Sequence, residues 1–347
     1  MGPVTPTNPA ADSRIRGLDT LRFIAALWVV FGHCGAPPLT EGLDRSSLVA
    51  LLVQGFYGNF FAAVPAVIVF FVISGFCIHY PYRSPGTFDI LPYFARRYMR
   101  ISIPMLAALL IAKPLHVNLA LFHNSILWSL LAELIYYSLY PAIRWLRNKM
   151  GWGPIISVSF VTSYGAILIH PSALDYSPFG PALCWLVALP CWLLGCRLAE
   201  TDFSKNVPGK LWLHLWCWRS GIWFFSWSCS VLRFHSPVGY PWTLNLFAVA
   251  VFFWLKVEIQ AFKAQTPNRL FEWAGQWSYS VYLMHMIADI AYTRLAMPNF
   301  GFNLNWMFKM LFILLIAYTF YLVIEKPGHY IARNISRSLR RKIPALS

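Results

Sequence analysis

Runs of apolar residues about as long as a bilayer is thick recur along this chain, separated by short polar segments. A membrane-spanning helix needs about 20 mostly apolar residues. That criterion places spans near 18–35, 62–79, 101–116, 126–143, 154–170, 182–198, 211–231, 243–257, 277–295 and 306–325. The third run is short, and the seventh contains Arg219. The pattern predicts an all-α protein, a polytopic transmembrane helical bundle of about ten spans. Trp128, Trp152, Trp242 and Trp306 fall near span ends, as in an interfacial aromatic belt. No internal repeat is visible, which counts against a transporter built on duplicated halves.

Composition supports this reading. Apolar residues make up 58% of the 347 and charged residues 12%, against about 25% charged in soluble domains. The net charge of +15 does not point to nucleic acid, because Lys and Arg sit in short clusters between apolar runs and no zinc-ligand pattern accompanies them. They mark cytoplasmic segments: Arg14 and Arg16, then Arg83, Arg96, Arg97 and Arg100, then Arg144, Arg147 and Lys149, and so on to Arg340, Arg341 and Lys342. The opposite side holds Arg45, Lys113, Arg233 and Arg294. This bias predicts an even number of spans, both termini cytoplasmic, and a multi-pass protein of the cytoplasmic membrane. Residues 1–13 are Pro/Ala-rich and expected to be disordered, 14–330 form the transmembrane domain, and 331–347 form a basic cytoplasmic tail. The seven cysteines lie in or beside apolar runs without a C-x-x-C pair and read as small buried apolar groups. No metal is expected. No cleavable signal is expected either, since the first apolar run carries Arg22 and His33.

Ionisable groups inside spans are costly and mark function by default. Arg22 and His33 are eleven residues apart, about three helical turns, so they share one face about 16 Å apart along the axis. With the N-terminus inside, Arg22 lies near the cytosol and His33 toward the outer half. Asp19 sits in the first turn, where a helix dipole favours an acid. Ser74 and Gly75 would admit another backbone or a ligand, although Ser74 does not lie in a G-x-S-x-G elbow. Arg97 and Arg100 are neighbours at i and i+3, and guanidinium pairs suit phosphates. Glu133 enters its span from outside, one to two turns deep, and is expected to pair with His33 at comparable depth and raise its basicity. Tyr282 and His285 are at i and i+3, with His285 mid-membrane and in need of a partner. Glu325 lies at a cytosolic end.

In order and spacing, these segments resemble the acyltransferase-3 family of bacterial membrane O-acyltransferases. The segments are Leu-Asp19-x-x-Arg22 with His33 after ten residues, Phe-Phe-x-x-Ser74-Gly75-Phe76, Arg97-x-x-Arg100, Trp128-Ser-Leu-x-x-Glu133, Tyr279-x-x-Tyr282-x-x-His285, and Glu325-Lys-Pro. The resemblance runs from about Arg16 to Pro327. It implies an acyl-CoA donor, usually acetyl-CoA, as cytosolic co-substrate. It also implies an acceptor hydroxyl on a sugar, a surface polysaccharide or a lipid-linked glycolipid precursor at the outer face. Roles are implied at Arg22, His33, Arg97 and Arg100. Thr20 departs from a frequent Gly, and Lys113–Asn124 is shorter than the loop of many members. On this reading His33 is the catalytic centre, as general base or as acyl carrier, supported by Glu133 and Asp19. Arg22, Arg97 and Arg100 hold donor phosphates. The rival functions are a transporter that uses the buried polar groups as a permeation path, and a non-catalytic membrane scaffold.

Overall fold

A computed structural model describes residues 15–43, 47–84, 86, 88–117, 126–203, 211–296 and 298–342, and every regular element among them is helical. In chain order these are α1 Leu18–Cys34, α2 Leu48–Gly58, α3 Ala63–His79, α4 Ile90–Ala112, α5 Leu127–Met150, α6 Trp152–Ile167, α7 Gly180–Leu198, α8 Leu211–His235, α9 Tyr240–Ala264, α10 Arg269–Gly275, α11 Ser278–Arg294, α12 Phe302–Phe320 and α13 Lys326–Lys342. A short π-helical stretch, Tyr321–Glu325, joins the last two. Each of the ten apolar segments coincides with a helix. The expected residues 1–13 and most of Lys113–Asn124 lie outside the described residues.

Four runs are long and apolar enough to cross a membrane by length and composition: Leu48–Tyr82, Ser177–Leu198, Tyr240–Ala264 and Phe302–Arg341. The helices that carry the chemistry are shorter or more charged. Both α1 and α11 have 17 residues, α4 carries Arg96, Arg97 and Arg100, and α5 carries Glu133. The outward faces carry exposed apolar side chains such as Leu110, Val161, Leu311 and Leu315. Such a surface suits lipid, where helices satisfy their own backbone and need no polar coat.

A further helix, α2, lies in the segment between the first two predicted spans. It is tied down where the Tyr57 hydroxyl donates to the Pro37 carbonyl at 2.7 Å and Trp227 Nε1 donates to the Phe56 carbonyl at 2.9 Å. At the centre, α3 is buried almost all round, as expected for a helix that is apolar on every face. It meets α7 backbone to backbone. A Cβ on Gly75 would fall 2.0 Å from the Trp192 carbonyl oxygen, and one on Gly195 would fall 2.0 Å from that of Val72. Small residues thus let two apolar helices make close contact where burial from water gives no drive. This contact seats Ser74, the next residue, at a fixed place in the interior.

Two further contacts position α1. Its N-terminus follows Gly17, whose φ of 89° is left-handed and whose missing side chain leaves room for the Phe262 ring. Thr20, which departs from a frequent Gly, donates its hydroxyl to Glu272 Oε1 of α10 at 2.8 Å, and its amide donates to the same atom at 3.0 Å.

Candidate active site

The last turn of α1 and the middle of α11 bring two imidazoles together. His33 Nδ1 lies 3.0 Å from His285 Nε2, and the rings are nearly parallel at 10°. Their tautomers follow from the remaining partners. His285 Nδ1 lies 2.7 Å from the Tyr282 carbonyl, which can only accept, so Nδ1 carries the proton and Nε2 is the acceptor. His33 must then donate through Nδ1, which leaves the lone pair on its Nε2. His285 is fully buried, whereas His33 is exposed. With both rings neutral, the outcome is an oriented imidazole, its Nε2 lone pair uncommitted to His285, on an exposed residue. Beneath the pair, the Tyr282 hydroxyl donates to the Ile126 carbonyl at 3.0 Å and lies 2.7 Å from Ser129 Oγ.

A second polar centre lies toward the other end of α1. Arg22 Nη1 is 3.2 Å from Asp19 Oδ1 within the first turns. Arg100 lies within electrostatic reach of Arg22, Arg97 and Glu325. Glu325 is buried and accepts from the Ser280 amide at 3.1 Å and the Ser280 hydroxyl at 2.5 Å. The structure thus brings Asp19, Arg22, Arg97, Arg100 and Glu325 to one region from α1, α4 and the π-helical stretch.

Glu133 belongs to this inner centre, which corrects the expected His33–Glu133 pair. Its Oε1 accepts hydrogen bonds from Ser74 Oγ and from the Tyr137 hydroxyl, and its charge acts on Arg22. Counting from the start of the apolar run sets Glu133 at the depth of His33. In fact Ile126 sits beside Tyr282, one turn below His285, and Glu133 is seven residues further, about 10 Å deeper. Ser74 therefore orients a carboxylate, and Gly75 serves helix packing.

Sequence reasoning also missed two networks. His79 Nε2 lies 2.6 Å from Glu200 Oε1, which also pairs with Arg147 Nε at 2.6 Å, and His79 Nδ1 lies 3.0 Å from the Tyr140 hydroxyl. A cavity of about 650 Å³ lies on another face of α1, lined by Trp28, Trp223, Trp227, Arg219 and Glu258, and takes in neither histidine of the pair. There Arg219 forks onto Glu258 through Nε and Nη2 at 2.6 and 2.9 Å, and Trp254 Nε1 adds a third donor at 2.9 Å. This explains how the predicted seventh span tolerates an arginine. His79 ended a span and Arg219 interrupted one; those were the signals available.

An exposed imidazole at one end of α1 and an arginine cluster at the other thus lie in a bundle of helices, several of them long and apolar enough to cross a membrane. The family described as "Acyltransferase domain" matches residues 15–324. The chain belongs to this acyltransferase-3 family and is a membrane acyltransferase. It is similar to Nodulation protein 10 of Rhizobium leguminosarum bv. viciae, 24% identical over 373 aligned residues that cover 93% of this chain and 95% of that protein. No solved structure matches.

Proposed function

We propose that the protein moves an acyl group, acetyl in the simplest case, from cytosolic acyl-CoA to a hydroxyl presented at the outer face of the cytoplasmic membrane. The acceptor class is a sugar of a surface polysaccharide, a lipopolysaccharide or a lipid-linked precursor. The observation that carries this reading is the placement of Arg22 and His33 on one face of α1, each gathered into its own polar centre. Arg22, Arg97 and Arg100 bind donor phosphates, for which forked guanidinium groups are suited. The pantetheine arm extends along α1 and brings the thioester to His33.

His33 Nε2 takes the proton from the acceptor hydroxyl. The oxygen attacks the thioester carbonyl, the C–S bond breaks, and the departing thiolate receives the proton from His33. The Nδ1–H bond to His285 holds the ring through both steps. In the covalent variant His33 Nε2 attacks the thioester carbonyl, the C–S bond breaks and CoA leaves as the thiolate; the acceptor oxygen then attacks the acyl-imidazole, the C–N bond breaks, and the hydroxyl proton passes through the freed Nε2 to the thiolate. Asp19 positions Arg22, Ser74 and Tyr137 orient the Glu133 carboxylate whose charge acts on Arg22, and Glu325 balances the arginines. This reading takes a ten-span topology with both ends cytosolic, supported by the bias of Lys and Arg toward one set of connecting segments.

Mass spectrometry of surface glycans, glycolipids and exported small molecules from cells with and without the protein tests this directly. One species gaining an acyl mass only in the presence of wild-type protein, and not with His33→Ala, is the expected result. Unchanged spectra, together with no thioester turnover by purified protein, would remove the proposal.

A further inference from the structure

The match to the family ends at residue 324, yet the next helix carries cations into the inner polar centre. α13 runs antiparallel to the cytosolic part of α4. Gly328 faces Ile103, Ser336 Oγ donates to the Pro92 carbonyl at 3.0 Å, and Arg340 Nε lies 3.4 Å from Asp89 Oδ2. This register sets His329 beside Arg100 and Arg333 beside Arg96. The charges agree with the register: Arg333 acts on Arg96, and His329 feels Arg100, Arg333, Arg96 and Arg22.

Juxtaposed cations oppose the packing of two helices. The opposing carboxylates are few. Among the described residues Arg96, Arg97, Arg100 and Arg333 make no ion pair, Asp19 is engaged by Arg22, and Glu325 has one oxygen on Ser280 and the other 3.6 Å from His329 Nε2. A helix seam that gathers unpaired guanidinium groups is an anion site. Arg96 is one turn from Arg100 on the side away from His33, so the seam extends the inner centre toward the cytosol.

We propose that α13 forms a wall of the donor site, and that Arg333 and Arg96 together bind the phosphate of acyl-CoA that lies farthest from the thioester, the 3′-phosphate of the nucleotide. This rests on the acyl-CoA reading. It leaves Arg97 and Arg100 for the pyrophosphate, nearer the reacting carbonyl.

Calorimetry with purified full-length protein in detergent tests it, using CoA and dephospho-CoA, which lacks the 3′-phosphate. Wild-type protein should bind CoA more tightly, by about tenfold or more, the scale of a charge-assisted hydrogen bond. Arg333→Gln and Arg96→Gln should each weaken CoA to the level of dephospho-CoA and leave dephospho-CoA unchanged. Arg333 is exposed, so the variant should fold. Arg341→Gln, two turns further along α13, controls for a general loss of positive charge and should preserve the preference. Binding of both ligands with no preference, or a preference that survives Arg333→Gln, would overturn this assignment and leave the donor reading intact. Binding of neither ligand would fail the donor reading itself. Stabilisation that depends on Arg333 and comes from phosphatidylglycerol micelles but not from CoA would assign the seam to a lipid headgroup and also overturn the proposal.

Discussion

His33 Nδ1 and His285 Nε2 are joined by a 3.0 Å hydrogen bond between helices 252 residues apart in sequence. His33 presents the accessible nitrogen, and His285, fully buried, fixes which nitrogen that is. The two act as a unit, and their substitutions should show it. His33→Ala should lower kcat by about 10²–10⁴, the usual loss for a proton-transfer group. His285→Ala should lower kcat less and leave donor KM unchanged. His285→Gln, which keeps an acceptor for His33 Nδ1, should recover part of the loss. The double His33→Ala/His285→Ala variant should be no worse than His33→Ala, as expected for non-additive members of one device. Additive losses in steady-state kinetics would separate the two residues.

The inner centre should respond differently. Arg97→Lys and Arg100→Lys keep the charge and lose the fork, so donor KM should rise by about tenfold for each 1.4 kcal/mol of binding lost, with kcat spared. Glu133→Gln should leave kcat close to wild type, because Glu133 is bonded to Ser74 and Tyr137 and not to His33. Kinetics with donor varied at saturating acceptor measure both. A large kcat loss in Glu133→Gln with unchanged donor KM would restore Glu133 to the base.

The Arg219–Glu258 pair should matter to stability and not to chemistry. Glu258 has no exposed surface. Arg219→Leu strands its carboxylate, at a cost of about 3–5 kcal/mol, whereas Arg219→Leu/Glu258→Leu together should recover most of it. Thermal unfolding in detergent reads the difference. Activity per folded molecule should be unchanged, since the pair lies in a cavity that takes in neither His33 nor His285.

Packing of α3 on α7 has no slack at two positions. Gly75→Leu and Gly195→Leu place side chains against backbone carbonyls at 2.0 Å and should prevent accumulation of folded protein, measured as monodisperse material after detergent extraction. Normal yield of either variant would show that the helices can separate without loss of the fold.

Thiol labelling of single cysteines introduced near Arg16 and at Ser347, in an otherwise cysteine-free chain, should show both ends accessible from the cytosol. Protection of one end and exposure of the other would require an odd number of spans.

The amino-acid sequence alone determined the helical segments, the family, the shared face of Arg22 and His33, and the adjacency of Arg97 and Arg100. All of these follow from local rules: apolar run length, 3.6 residues per turn, and motifs in fixed order. Tertiary structure decided which side chains are partners. Local spacing could not show that His285 takes the place beside His33 expected for Glu133, that Glu258 accommodates Arg219, or that α13 turns back along α4. Such pairings depend on how far each helix is inserted relative to its neighbours. That depth is set by backbone contacts such as Gly75 on Trp192, between segments more than a hundred residues apart. Glu133 shows the consequence most plainly, because counting from the predicted edge of its span placed it beside His33, and the depth at which α5 begins placed it with the arginines.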